Sequence, residues 1–477
     1  MISPSDSDVR DALRRVVDPE LGVNIVDLGL VERIDLSGGK VHVSLGMTSP
    51  ACPVGPYLQD QAKAVLQMLP GGQGAEVELL RDFHWSPDRM NEAARRELGI
   101  APVPPPPPAV QILPAQKVHW RRLPLLVAAM ISLLAGLWAG LVRLGWHWSI
   151  PKADWVLIHG PLMVCAFLGT LIAVERAVGL GERSGFIAPG LGALGAFSLL
   201  ALPSLFIGPL FLTAASVGLF LLLGNLALKN PSADSILLAL GTACWIGGNA
   251  LWLLGAGIPK ALPWWMAFLA VTIAAERLEL TRFSTPSATS QKMLVNVVAL
   301  LLASGFLLSA NYQQRPWLLG LSFIALSAWL FRCDVATRIV GKKTGLPRFT
   351  AVCLLAGYVW LGFSGVLLLF LQALSAGPLY DAALHSFFVG FVFSMIFGHA
   401  LIIFPSVLGK SIDFSKAFYV PLGFLHLSLT LRMLGDLLPL WPLRLSGGLG
   451  NGIAILFFFA TMIRAANKKT APTPAKA

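Results

Sequence analysis

Charge is what this chain lacks. Only 13% of its 477 residues are Asp, Glu, Lys or Arg, about half the share of a soluble globular protein. The hydrophobic share is 55% and mean hydropathy is +0.70, so most of the chain is expected to lie in a membrane. Cysteine is scarce too. Cys52, Cys165, Cys244, Cys333 and Cys353 form no C-x-x-C pair, and four of the five lie in or beside apolar runs. Neither a disulfide framework nor a zinc knuckle is supported by that pattern. No apolar h-region follows MISPSDSDVRDALRR, so a signal peptide is not expected. With no phosphate-binding glycine loop, dinucleotide fingerprint or nucleophile–base pair, a hydrolase, ATPase or NAD enzyme is not expected, and a conventional enzyme is disfavoured.

The charge that is present is unevenly placed. Residues 1–100 hold 10 Lys and Arg against 15 Asp and Glu, a net −5, while the remainder holds 26 against 10, a net +16. Topology and anionic lipid account for a basic membrane body, so lipid is the expected partner and nucleic acid is not. The proline run APVPPPPPA (101–109) marks the boundary as a semi-rigid polyproline II spacer. The expected domains are an α/β head (1–100), a proline-rich linker (101–117), an all-α polytopic membrane domain (118–466) and a basic tail (467–477).

In the head, Asp6 or Ser7 can cap a helix through DVRDALRRVV. VERIDLSGGKVHVSLGM reads as a hairpin turning at Ser37-Gly38-Gly39. A helix after Cys52, a strand over 75–81 and a short helix from Asp88 follow. Beyond the linker, twelve spans are expected, near 123–143, 155–176, 186–206, 208–228, 233–256, 261–280, 292–310, 315–337, 349–374, 380–404, 416–434 and 443–464. With a cytoplasmic head, inward segments carry 20 Lys and Arg against 6 outward, which predicts a bacterial inner-membrane protein with both termini cytoplasmic.

The segment TSPACP (48–53) places Cys52 between a strand, KVHVSLGM, and a helix, PYLQDQAKAVLQML. A thiol at a helix start feels unpaired N–H groups and the positive helix end, which favour the thiolate that binds metal or attacks electrophiles. A buried structural cysteine is the alternative.

Together with DPELGVNIVDLGLV (18–31) and HWSPDRMNEAARRELG (84–99), this segment resembles the iron–sulfur cluster assembly domain of the SufT/PaaD type. The resemblance implies that Cys52 is the reactive residue in cluster or metal transfer. It also implies a pocket of Asp18, Glu20, Asp27, Thr48 and His84, a transient iron–sulfur cluster, and client or assembly proteins as partners. One cysteine cannot satisfy a cluster that takes about four thiolates, so a second head or a partner must contribute. Asp18 and Asp27 fit turn chemistry as well as function. His84 and His42 are candidate nitrogen ligands, with packing and solvent exposure as their alternatives.

Ionisable residues within spans are functional candidates. His159 opens span two in HGPLMVCAFLGTLIAVERAVGLG, and His385 opens span ten in HSFFVGFVFSMIFGHALIIFPSVLG; the two segments suggest a diverged repeat. His385 and His399 are 14 residues apart, placing them on one helix face roughly 21 Å apart. LIAVERAVGL echoes TIAAERLELT, so Glu175, Arg176, Glu276 and Arg277 fall at equivalent helix ends, and each acid is expected to pair across helices. Three four-helix units, with spans two, six and ten equivalent, are the corresponding expectation. The span number and these histidines resemble the NnrS family of membrane haem-and-copper proteins. That resemblance implies His159, His385 and His399 as candidate haem or metal ligands, against helix-interface hydrogen bonding. For His426 the interface role is favoured.

Three functions follow. The first is a membrane-anchored metal or iron–sulfur cluster assembly or redox-homeostasis protein with a haem- or metal-binding body. The second is a multi-span transporter with a regulatory cytoplasmic domain, which calls for paired discontinuous helices. The third is a scaffold holding the assembly head near membrane clients. Metal identity, client, transported species and oligomeric state are not legible.

Overall fold

The computed structural model describes residues 4–36, 40–48, 52–72, 74–80, 83, 85–98, 119–202, 206–281, 288–311, 313–410 and 412–467. The proline spacer, the turn at 37–39, His84 and the basic tail lie outside the described residues.

The head begins with α1 (Asp6–Leu13), capped by Ser5 rather than by Asp6 or Ser7. Ser5 Oγ accepts from Asp8 N at 3.2 Å and Ser5 N donates to the Asp8 carboxylate at 2.9 Å. A reciprocal cap needs a side-chain acceptor three residues into the helix, and only Ser5 has Asp8 there. Strands β1 (Val31–Asp35) and β2 (His42–Gly46) pair antiparallel, as the hairpin reading requires. Helix α2 (Gly55–Gln67) then crosses over to β3 (Glu76–Leu80), parallel to β2 with Val43 opposite Val77. The last helix, α3 (Glu92–Glu97), starts four residues after Asp88, because Asn91 Oδ1 accepts from Ala94 N at 2.8 Å. Val9, Leu13, Val43, Leu45, Leu58 and Leu66 form the head core.

The body is helical throughout. Its long elements are α4 (Leu123–Leu144), α5 (His159–Leu180), α6 (Ile187–Ala201), α7 (Ile207–Lys229), α8 (Ala233–Leu253) and α9 (Ile258–Thr281). They continue as α10 (Ala288–Ala310), α11 (Trp317–Cys333), α12 (Gly345–Phe370), α13 (Pro378–Leu408), α14 (Tyr419–Leu437) and α15 (Trp441–Asn467). Among the described residues 11 helices are long and apolar enough to cross a membrane, which makes this a multi-pass membrane protein. The expected twelfth span is α11, a helix of 17 residues, shorter than the ~20 a bilayer core requires.

Burial sorts the helices. The apolar windows of α5, α9 and α13 are 78%, 83% and 83% buried, against 50% or less in the others. These are spans two, six and ten, so the three helices singled out by internal echoes form the centre of the body. Two of them share another feature. The π-helical segment Leu162–Gly169 starts three residues after His159, and Ser386–Val392 starts directly after His385. A π segment rotates everything beyond it relative to an α-helix, so the 14-residue spacing from His385 to His399 no longer reports a shared face.

Candidate functional site

The connection from β2 to α2 places Cys52 just ahead of α2. Its carbonyl accepts from Gly55 N at 3.1 Å, and Val54 is the N-cap. The thiol therefore precedes the helix rather than sitting within its first turn. Its surroundings also reverse the expected activation. Burial pushes the Cys52 thiol well up, and the carboxylates of Glu279, Asp18 and Glu20 push in the same direction. Desolvation and neighbouring negative charge both oppose a thiolate. In this arrangement the surroundings of Cys52 favour the thiol over the thiolate.

Two of those acids come from the DPE segment. Asp18 Oδ1 accepts from Glu20 N at 2.9 Å and Leu21 N at 3.1 Å, an Asx turn. Burial, followed by the charge of Glu20, raises the Asp18 pKa to about 7 against those hydrogen bonds. Asp27 serves the fold: Asn24 Nδ2 and Asn91 Nδ2 each donate to it at 2.7 Å, tying α3 back to the loop. Thr48 is half-buried just after β2, and His42 is half-buried at the start of that strand.

Glu20 points out of the head into the body. Its Oε1 lies 3.9 Å from Arg277 Nη2 and 3.7 Å from His399 Nε2. The adjoining loop is fixed as well. Lys343 Nζ donates to Gly22 O at 3.1 Å, and a Cβ on Gly22 (φ +66) would meet Pro347 at 3.2 Å. Helix α2 packs against α13 and α5. The DPE loop and the Cys52 face are thus the docking face of the head.

Beneath Glu20, the body gathers the expected ionisable residues. Arg176 donates to Glu276 and lies 3.6 Å from Glu175, so pairing across helices holds for Glu276. Arg277 donates to His399 Nε2 at 2.9 Å, while His399 Nδ1 lies 2.6 Å from the Met395 carbonyl. A carbonyl can only accept, so Nδ1 carries the proton and Nε2 spends its lone pair on Arg277. His399 has no lone pair left for a metal.

His159 and His385 are elsewhere, at the opposite ends of α5 and α13, lining one cavity of about 310 Å³. His426 accepts from Trp360 Nε1 at 3.0 Å, an interface role. The haem or copper expectation finds no support in this cavity. It offers two imidazoles, and among the described residues no group of three or more His, Cys, Asp or Glu is placed to hold a metal. Arg143, Arg432 and Arg444 line the same space and oppose a bare cation.

Sequence reasoning missed Glu279, although it lies in TIAAERLELT three residues after Glu276. It also missed Asp381, whose i,i+4 spacing from His385 was the available signal.

The comparisons divide the chain as the structure does. Residues 6–79 match the family described as iron–sulfur cluster assembly protein, and residues 122–467 match a domain of unknown function (DUF8744). The head is 41% identical over 93 residues to the Fe-S protein maturation auxiliary factor YitW of Bacillus subtilis, covering 19% of this chain and 91% of that protein. It is 40% identical over 87 residues to the auxiliary factor SufT of Staphylococcus aureus, covering 18% and 99%. An iron–sulfur cluster carrier protein of Deinococcus radiodurans shares 37% identity over 67 residues, 14% of this chain and 19% of that protein. The chain therefore belongs to the DUF8744 family through its membrane body, and its head belongs to the iron–sulfur cluster assembly protein family.

Proposed function

We propose that this protein is a membrane-anchored iron–sulfur cluster assembly factor, in which Cys52 passes a cluster or its iron to client proteins at the cytoplasmic face of a bacterial inner membrane. The observation carrying this reading is the seating of the head's DPE loop and Cys52 on the body end that bears Arg277 and His399. The cluster is cargo. One thiol supplies one ligand, so the remaining ligands come from donor and client. In the docked state, burial and three carboxylates keep Cys52 protonated. Moving the head off the body removes Glu279 and restores solvent, which lowers the thiol pKa and readies it for exchange.

The transporter reading lacks a matching feature. The π segments of α5 and α13 are continuous helix, Pro209 lies in the first turn of α7, and Pro405 sits within α13. The test is anaerobic cluster transfer from a loaded donor through full-length protein in nanodiscs to an apo-client. We expect transfer with the wild type and its loss in Cys52→Ser. Equal transfer by Cys52→Ser would sink the proposal.

A further inference from the structure

The cavity at the end of the body far from the head has an unusual balance of polar groups. His159 Nδ1 lies 2.7 Å from the Gly136 carbonyl, and His385 Nδ1 lies 2.8 Å from that of Asp381. Each imidazole therefore keeps its proton on Nδ1 and presents Nε2 without a hydrogen-bond partner among the described residues. Asp381 is already committed. Arg432 grips it with two hydrogen bonds of 2.9 and 3.0 Å, and Arg444 lies 3.9 Å away while also pairing with Asp436 at 2.7 Å. The third guanidinium, Arg143, is exposed at the end of α4 and has no carboxylate partner among the described residues.

A second, independent group points the same way. Asn451 is 3% exposed; its Oδ1 accepts from Ser428 at 2.8 Å, and its buried Nδ2 has no partner among the described residues. The cavity thus holds positive charge in excess and an unpartnered amide donor, beside two imidazole acceptors. Its other walls are apolar, with Leu137, Met163, Leu384 and Phe388 among them. The two cavity histidines also sit at the starts of the two π-helical segments, a distortion that recurs at binding sites.

We propose that this cavity binds an amphiphilic oxyanion, with its headgroup held by Arg143 and the Asn451 amide and its hydrocarbon part lying along the apolar walls. The unpartnered donors need an acceptor, the lone guanidinium needs a counter-charge, and the apolar lining needs a chain to cover it. The two bare imidazole Nε2 atoms accept from water carried in with the headgroup. This site lies apart from the cluster-handling face and does not depend on that function.

The experiment titrates full-length protein in neutral-lipid nanodiscs and follows the intrinsic tryptophan fluorescence, using Trp265→Phe to isolate the contribution of Trp265 in the cavity wall. Decanoate and dioctanoyl phosphatidate present the same oxyanion chemistry from a free acid and from a phospholipid. Saturable binding of either supports the proposal and identifies the source. Arg143→Gln is an exposed change that leaves the fold intact; it should weaken binding about tenfold, as loss of one charge-assisted hydrogen bond would. Decanol binding as tightly as decanoate overturns the headgroup assignment. Inorganic phosphate binding as tightly overturns the amphiphile. A Soret band lost in His159→Ala would make the imidazoles haem ligands and overturn the proposal altogether.

Discussion

Replacing Arg277 by Met should open the head–body interface, and replacing Glu20 by Gln should not. The two charged atoms are 3.9 Å apart, which at an effective dielectric near 20 is about 4 kcal/mol of attraction. Glu20 nevertheless has its pKa raised, burial outweighing Arg277. The ionised carboxylate is therefore only partly compensated in place, and removing its cation leaves the cost of burial unopposed. The loss is capped because Glu20 can protonate, so the expected net change is about 2 kcal/mol, or roughly a thirtyfold rise in the undocked population. Glu20→Gln removes the buried charge together with its penalty and leaves Arg277 its contact with His399 at 2.9 Å. Cys52 reports opening through its rate of maleimide labelling. Cys165, Cys244 and Cys353 are fully buried, and Cys333 can be changed to Ser. Labelling should accelerate in Arg277→Met, stay near wild type in Glu20→Gln, and return toward wild type in the double variant. Equal rates in all four proteins, or acceleration undiminished by Glu20→Gln, would refute this account of docking.

Two further outcomes follow from the same electrostatics. Asp18 has a folded-state pKa raised to about 7, so its contribution to stability is full below the ordinary carboxylate range and is lost as pH rises toward 7. Asp18→Asn keeps the Oδ1 acceptor and should flatten the change in the head's thermal midpoint between pH 4 and 7; an unchanged pH profile would contradict the assignment. Arg176 is 1% exposed and is shared by Glu276 and Glu175. Arg176→Leu should lower body stability by about 3–5 kcal/mol by stranding those acids. Adding Glu276→Gln should recover part of the loss, measured by thermal unfolding in detergent.

What the sequence revealed depended on how local the physics was. Strand alternation around Val43, the crossover helix and most helices of the body are set by neighbours within a few residues and stand where periodicity puts them, while α11 ends short of its expected span. The echo of LIAVERAVGL in TIAAERLELT pointed to acids pairing across helices, as Glu276 does with Arg176, but not to which partner or to the central position of α5 and α9. Cys52 misled on its ionisation. Its helix start is a local feature, but the carboxylate that contributes most after burial, Glu279, is 227 positions away and reaches it only through docking. The spacing of His385 and His399 misled because a π segment between them breaks the 100° rule. Lys343 and Pro347 carry no motif at all; they matter because Gly22 comes to rest on them.

The fusion itself explains why the docking face can be electrostatically poor. SufT is almost entirely head, the match covering 99% of its length, so a free-standing head must find any partner by diffusion. Here residues 99–118 tether head to body. A short tether gives an effective concentration on the order of millimolar, so an interface of only ~10 μM intrinsic affinity would be about 99% docked. Tight pairing is therefore unnecessary, and an undercompensated Glu20 is tolerable. At that affinity the contact would be open on the order of one part in a hundred, which under the proposed function would give Cys52 access to clients without a dedicated trigger. A strongly favourable ion pair at the same place would close the thiol off. Under the proposed function, a tethered contact of that strength would keep Cys52 protected most of the time and still available for transfer.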